Sequence, residues 1–236
     1  TFMAETEQNP LLRYLVNNPD AFATNFARAI EQAGKATAAY LKPREEGNAK
    51  SDLADELAII TKTLAHVGEW WLADPARTIN AQQRLIGGWM DLWSTTLKRM
   101  GGEAVEPVAK PDPRDKRFAD PEWQDNTFFD FLKQFYLITS RWADDMVKDA
   151  DIDPRTRAKA DFWVRQITAA LAPSNFLLTN PELLRETLTS NGDNLVRGLT
   201  MLAEDIAAGG GDLKIRQSDN TRFKVGEKLA LTPGKV

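Results

Sequence analysis

Cysteine is absent from this sequence, and histidine occurs once. The first absence excludes disulfides, thiolate metal sites and a cysteine nucleophile within the 236 residues. The second leaves His66 as the only imidazole available for proton or metal chemistry. Its helical neighbours four residues away, Lys62 and Trp70, supply no carboxylate, so a surface or partly packed imidazole is expected there. Long hydrophobic runs are missing too: nothing approaches the ~18 uncharged apolar residues of a membrane span. Residues 1–13 lack the basic-then-apolar pattern of a secretory signal. A strong excess of one charge is also lacking, with 30 Lys/Arg against 34 Asp/Glu and acids narrowly ahead in both halves. No basic field is present to hold nucleic acid, and none is expected as a partner. A hydrophobic content of 42% with 27% charged residues is that of a folded, non-membrane chain, and a cytoplasmic location is the default expectation.

Chemistry-bearing motifs are equally scarce. Gly209-Gly210-Gly211 has no Gly-Lys-Ser/Thr after it, so it reads as a helix stop, not a phosphate loop. No Gly-x-Ser-x-Gly elbow occurs. The densest acidic cluster, Asp144, Asp145, Asp149, Asp151 and Asp153, lacks the spacing and glycine of a calcium loop and reads as a solvated helix end. No cofactor and no metal site are expected.

What the sequence has in quantity is helical periodicity and aromatic residues. A helix is expected from Asp20, with Phe22, Phe26, Ile30, Ala33, Thr37 and Tyr40 on one face and Pro43 and Gly47 at its end. A second follows Ser51, with a heptad-like stripe of Leu53, Leu57, Ile60, Leu64, Val67 and Trp71 that suits lengthwise packing on another helix. Asp74-Pro75 opens a third, with Ile86, Trp89, Trp93, Leu97 and Met100 on one face. Gly87-Gly88 weakens its middle, and Gly101-Gly102 stops it. Three prolines between Glu103 and Arg114 exclude a helix and predict an extended linker. Beyond it Trp123, Phe128, Phe129, Phe131, Phe135, Tyr136 and Trp142 surround a helix on more than one side. Asp153-Pro154 and Asn180-Pro181 mark further helix starts. The tail alternates Leu213, Ile215, Phe223, Val225, Leu229, Leu231 and Val236 with polar residues, which predicts two or three short strands.

The fold class expected is therefore mainly α, as amphipathic helical bundles, with a short β-strand segment at the C-terminus. The expected divisions are a helical extension over 1–102, a Pro-rich linker over 103–114, a helical domain over 115–211 and strands over 212–236. Seven tryptophans either fill helix–helix cores or face a partner. Trp70 and Trp71 lie ~100° apart on a helix, so both cannot occupy the centre of one narrow seam. The candidate surface and partner contacts are Trp70, Trp71, Trp89, Trp93, Phe128, Phe131, Phe135 and Trp142.

Three stretches carry a resemblance. Arg117-Phe118-Ala119-Asp120-Pro121-Glu122-Trp123 resembles the Arg-Phe-x-x-Pro-x-Trp motif of poly(3-hydroxyalkanoate) synthases. Pro173-Ser174-Asn175-Phe176-Leu177-Leu178-Thr179-Asn180-Pro181 is similar to their Pro-x-Asn-Phe-x-x-Thr-Asn-Pro segment, and Phe223 to Gly234 to their first strands. Lys228 stands where that family often has asparagine. The match in order and spacing, over about 112–236, is to class I synthases, whose long N-terminal extension precedes an α/β-hydrolase domain. The resemblance implies an acyltransferase that polymerises 3-hydroxyacyl-CoA thioesters with Cys, Asp and His. None of those catalytic residues can be placed in this chain, which is expected to be inactive alone. The family role it implies is non-catalytic: polyester granule attachment, dimer stabilisation and binding of granule-associated proteins, beside the chain's own catalytic domain. Residues 1–102 resemble phasins only in pattern, which keeps a free-standing granule-coat or adaptor protein as the alternative.

Overall fold

The computed structural model describes residues 14–47, 52–211 and 213. Every regular element among the described residues is helical, so the chain is mainly α; the strands expected over 212–236 fall outside the described residues. The long helices are α1 (Pro19–Glu45), α2 (Asp52–Leu72), α3 (Pro75–Met100), α5 (Thr127–Lys148), α6 (Pro154–Ala170) and α8 (Asp193–Ala208). Two shorter ones are α4 (Glu122–Asp125) and α7 (Pro181–Thr189), and single 3-10 turns lie at Lys116–Phe118 and Pro173–Asn175.

Helix starts follow side-chain capping chemistry. The Asp74 carboxylate accepts from the amides of Ala76 and Arg77 with Pro75 in the first turn of α3, and Asn126 does the same for Phe128 and Phe129 at α5. Asp153 accepts from Thr156 at α6, and Asn180 from Glu182 and Leu183 at α7. Each satisfies amides that the first turn leaves without a partner.

The residues group into two compact units: Thr1–Pro19 with Ser51–Asn191, and Asp20–Lys50 with Gly192–Val236. Within the first unit α3 and α5 form an antiparallel pair. Trp142 Nε1 donates to the Ala81 carbonyl at 2.9 Å, Trp89 Nε1 donates to Thr139 Oγ1 at 3.1 Å, and Arg99 Nη1 donates to Asp130 Oδ2 at 2.7 Å. Gly88 permits the approach, since a Cβ there would sit 2.9 Å from Ile138 Cγ2. Gly87 and Gly88 thus lie inside one unbroken helix, with Gly88 as the contact point.

One core cluster joins Val67 and Trp71 of α2 with Ala81, Val147, Ala150 and Ala160. The other joins Phe118, Trp123, Phe129 and Leu137 with Ala109. Residues 103–114 are non-helical, as the prolines require, but they do not hang free. Ala109 is buried, and its amide donates to Gln134 Oε1 at 3.1 Å. The opening motif explains itself as packing and pairing. Phe118 and Trp123 meet edge-to-face with centroids 5.0 Å apart, and Asp120 accepts from Arg185 at 2.7 Å.

In the second unit α1 and α8 run parallel. Gly192, before α8, lies beside Phe22 and Asn25, while Gly211, beyond it, lies against Pro43 and accepts from Arg44 Nη1 at 2.8 Å. Ala29 and Ala36 are the buried residues of α1. The expected stripe is therefore displaced: Phe26, Ile30, Thr37 and Tyr40 are exposed. The helix also passes through Pro43 to Glu45, and Gly47, at φ +71°, takes the left-handed position that follows it.

Candidate apolar docking surface

The exposed side of the α3/α5 pair carries the most concentrated unpartnered apolar surface built from the candidate residues. Along α3, Ile79, Ile86, Trp93 and Met100 recur every seven residues, with Met90 and Leu97 beside them; all six are exposed. Trp93 is 59% and Met90 67% exposed. Arg77, Arg84, Asp91 and Lys98 repeat at the same interval on a different line, which leaves the apolar stripe free of charge. The inward line is Ala81, Leu85, Gly88 and Leu92, with Ala81 and Leu92 fully buried.

From α5, Phe128 and Phe135 are exposed and Phe131 is half-buried. The rings form a ladder across the two helices. Trp89 stacks on Phe135 at 5.1 Å, Phe135 on Phe131 at 6.2 Å, and Trp93 meets Phe131 edge-on at 5.8 Å. Aromatic pairs of this geometry add ~0.5–1.5 kcal/mol beyond their burial, so the ladder is held rigid while its outer edges stay in water.

The eight candidates separate on this geometry. Trp89, Trp93, Phe128, Phe131 and Phe135 belong to the α3/α5 face. Trp142 is half-buried, and its indole is used in the bond to Ala81. Trp71 is only 4% exposed and its Nε1 donates to the Met146 carbonyl at 2.8 Å, which removes it from the surface set. Trp70 packs edge-to-face on Trp71 at 5.0 Å and is roofed by the Arg77 guanidinium 3.3 Å from its ring centre. The adjacent pair therefore divides into a core ring and a capped one, because the ~100° step between neighbours puts only Trp71 on the α2 seam.

Sequence periodicity did not reveal a buried polar network beneath the ladder. Lys133 is 6% exposed, donates to the Trp123 carbonyl at 2.6 Å and sits 2.9 Å from Asp130 Oδ1. Asp130 Oδ2 accepts from Arg99 Nη1 and from Gln134 Nε2, each at 2.7 Å. Arg99 also donates to the Gln124 carbonyl. The available signal was Asp130, Lys133 and Gln134 at helical spacings of three and four inside an otherwise apolar helix. A second polar contact ties Tyr14 to α4, its hydroxyl donating to Glu122 Oε2 at 3.0 Å. Burial, followed by the Glu122 hydrogen bond and charge, pushes the Tyr14 phenol up to about 12.

Among the described residues catalytic or metal chemistry has no comparable constellation. His66 is exposed, with Nδ1 2.7 Å from the Lys62 carbonyl. Among the described residues no group of three or more His, Cys, Asp or Glu is placed to hold a metal ion. No helix among them is long and apolar enough to cross a membrane.

Comparison with known proteins supplies the family. Residues 114–236 match the family model described as poly-beta-hydroxybutyrate polymerase (PhaC) N-terminus. The poly(3-hydroxyalkanoate) polymerase subunit PhaC of Rhizobium meliloti (strain 1021) is 54% identical over 224 residues, 94% of this chain and 37% of that protein. The corresponding subunit of Rhizobium etli is 51% identical over 229 residues, covering 94% and 36%. That of Cupriavidus necator is 33% identical over 162 residues, covering 69% and 26%. The chain thus spans little more than a third of the length of the first two relatives. No solved structure matches. With more than half of its residues inside the family match and two such relatives covering nearly all of it, the chain belongs to the poly(3-hydroxyalkanoate) polymerase (PhaC) family and corresponds to its N-terminal region.

Proposed function

We propose that this chain is the non-catalytic N-terminal part of a polyester polymerase and attaches the enzyme to its own product, a polyester granule, through the α3/α5 face. The observation that carries the reading is the charge-free stripe of Ile86, Met90, Trp93, Leu97 and Met100 beside exposed Phe128 and Phe135. A polyester chain offers methylene and methyl groups with ester carbonyls and no charge, so apolar burial and ring contact are the forces available. At ~25 cal/mol per Å², several such side chains brought out of water hold a protein on a surface.

The polymerisation itself, of 3-hydroxyacyl-CoA into polyester, belongs in this reading to the longer polypeptide that relatives possess, and the protein works at the granule surface in the cytoplasm. Dimer stabilisation is a second role for the N-terminal part, favoured by the outward Phe26 and Ile30 of α1. Granule-associated proteins are further partners that the same exposed rings suit.

Co-sedimentation with amorphous poly(3-hydroxybutyrate) particles tests the attachment. The purified chain is expected to pellet with the particles and to stay bound in 0.5 M salt, where exposed charge contacts are screened within a few ångströms. The double variant Met90→Glu/Trp93→Glu is expected to remain in solution. Equal binding of both proteins, or release by salt, refutes the proposal.

A further inference from the structure

Between α6 and α7 the chain turns a corner that is braced from within by its polar side chains. Asn175 Nδ2 donates to the carbonyls of Ala169 and Ala170 at 2.8 and 3.1 Å, closing the end of α6. Thr179 Oγ1 donates to the Pro173 carbonyl at 2.7 Å. Asn180 Nδ2 donates to the Ser174 carbonyl at 2.7 Å, while its Oδ1 caps α7. These bonds account for the polar positions of the Pro-x-Asn-Phe-x-x-Thr-Asn-Pro segment as local bracing. They do not account for its apolar ones. Phe176 and Leu171, at the end of α6, are exposed, and Leu178 is 72% exposed. Ile167 and Leu171 continue the inward line of Ala160 and Val164, past the point where the core cluster ends. A braced backbone thus holds several large apolar side chains of one short segment in water, and exposed apolar side chains of this kind suit a contact surface.

We propose that this corner is the docking surface for the polypeptide that follows residue 236 in the full-length polymerase. Two observations select that occupant. The chain spans only 37% and 36% of the relatives that it covers almost end to end, so most of the polypeptide such an N-terminal region accompanies lies outside it. The family match begins at residue 114 and contains the corner, whereas α2 and α3 precede it. The corner thus lies wholly inside the part of the chain that matches the N-terminus of the longer polymerase. Packing of the downstream polypeptide on the corner fixes the orientation of residues 114–191 relative to it, independently of any polyester.

A photo-reactive benzoylphenylalanine in place of Leu178, in the full-length protein, tests the assignment by mass spectrometry of the cross-linked peptides. The position takes part in none of the bracing bonds. Cross-links are expected mainly to peptides beyond residue 236 of the same molecule. Amide exchange over residues 174–180 is expected to be at least tenfold slower in the full-length protein than in the 236-residue chain. Cross-links confined to residues 14–211 of a second copy, cross-links to polymer alone, no cross-links, unchanged exchange, or a reading frame ending at residue 236 each overturn the proposal. The measurement is made without particles, so loss of granule attachment leaves its outcome unaffected.

Discussion

Replacing each of two neighbouring glycines by alanine measures the α3/α5 contact, because all but one of the terms cancel. Gly87 and Gly88 occupy the same unbroken helix, so alanine restores helix propensity by ~0.5–1 kcal/mol at either position. At Gly87 a Cβ meets nothing within 4 Å, and Gly87→Ala should stabilise the chain by that amount. At Gly88 the Cβ would lie 2.9 Å from Ile138 Cγ2. That methyl is attached directly to a β-carbon with little rotamer freedom, so relief requires the helices to part or Ile138 to leave its rotamer. Overpacking of this kind costs ~1–3 kcal/mol. The difference between the two variants is then the clash alone, about 1–3 kcal/mol in favour of Gly87→Ala. Urea unfolding followed by circular dichroism reads it directly as a shift in midpoint. Because Ile138 also packs on the core cluster, Ile138→Ala costs stability by itself, but in that background Gly88→Ala should no longer destabilise, since the opposing methyl is gone. Equal stability of the two single variants, or the same cost of Gly88→Ala in both backgrounds, refutes the antiparallel docking that builds the aromatic face.

Other outcomes follow from the buried polar groups. Asp130→Asn leaves the Lys133 ammonium, 6% exposed, and Arg99 without their counter-charge, and should cost about 3–5 kcal/mol in the same unfolding assay. A loss below 1 kcal/mol would show that the network is dispensable. Tyr14→Phe removes the bond to Glu122 and should cost ~0.5–1.5 kcal/mol at neutral pH. The folded phenol is raised from its ordinary value of 10 to about 12, so its contribution is complete below pH 10 and is lost as pH rises toward 12. The stability gap between wild type and Tyr14→Phe should therefore narrow over that window, and a gap that widens there contradicts the assignment.

Much of this organisation was legible in the sequence because it rests on local chemistry. Asp74, Asp153 and Asn180 cap where their side chains predict, and the Pro75, Pro154 and Pro181 that follow them sit in first turns. The family was also legible, since the segments around Phe118 and Asn180 fix packing and capping roles that tolerate few side chains. Periodicity finds a stripe but not which side of it is covered. For α1 the large residues Phe26 and Ile30 marked the obvious face, yet Ala29 and Ala36 are the buried residues. For α3 the stripe through Ile86 and Trp93 was recognised, but it is the outer surface, while Ala81 and Leu92 make the core. The same limit applied to Trp70 and Trp71, whose fates are set by the Met146 carbonyl and the Arg77 guanidinium, both supplied by other helices. The Asp130–Lys133–Gln134 network was hidden for a related reason: its partners, Arg99 and the Ala109 amide, come from distant segments.

Contact between the α3/α5 face and the polyester can be read by hydroxyl-radical footprinting of the chain free and bound to poly(3-hydroxybutyrate) particles. Met90, Trp93 and Met100 are reactive, exposed side chains on that face, and Met201 is an exposed methionine on α8 that serves as an internal reference. The first three are expected to lose most of their oxidation on binding while Met201 keeps its own. Undiminished oxidation of Met90, Trp93 and Met100 in the particle-bound chain would contradict it.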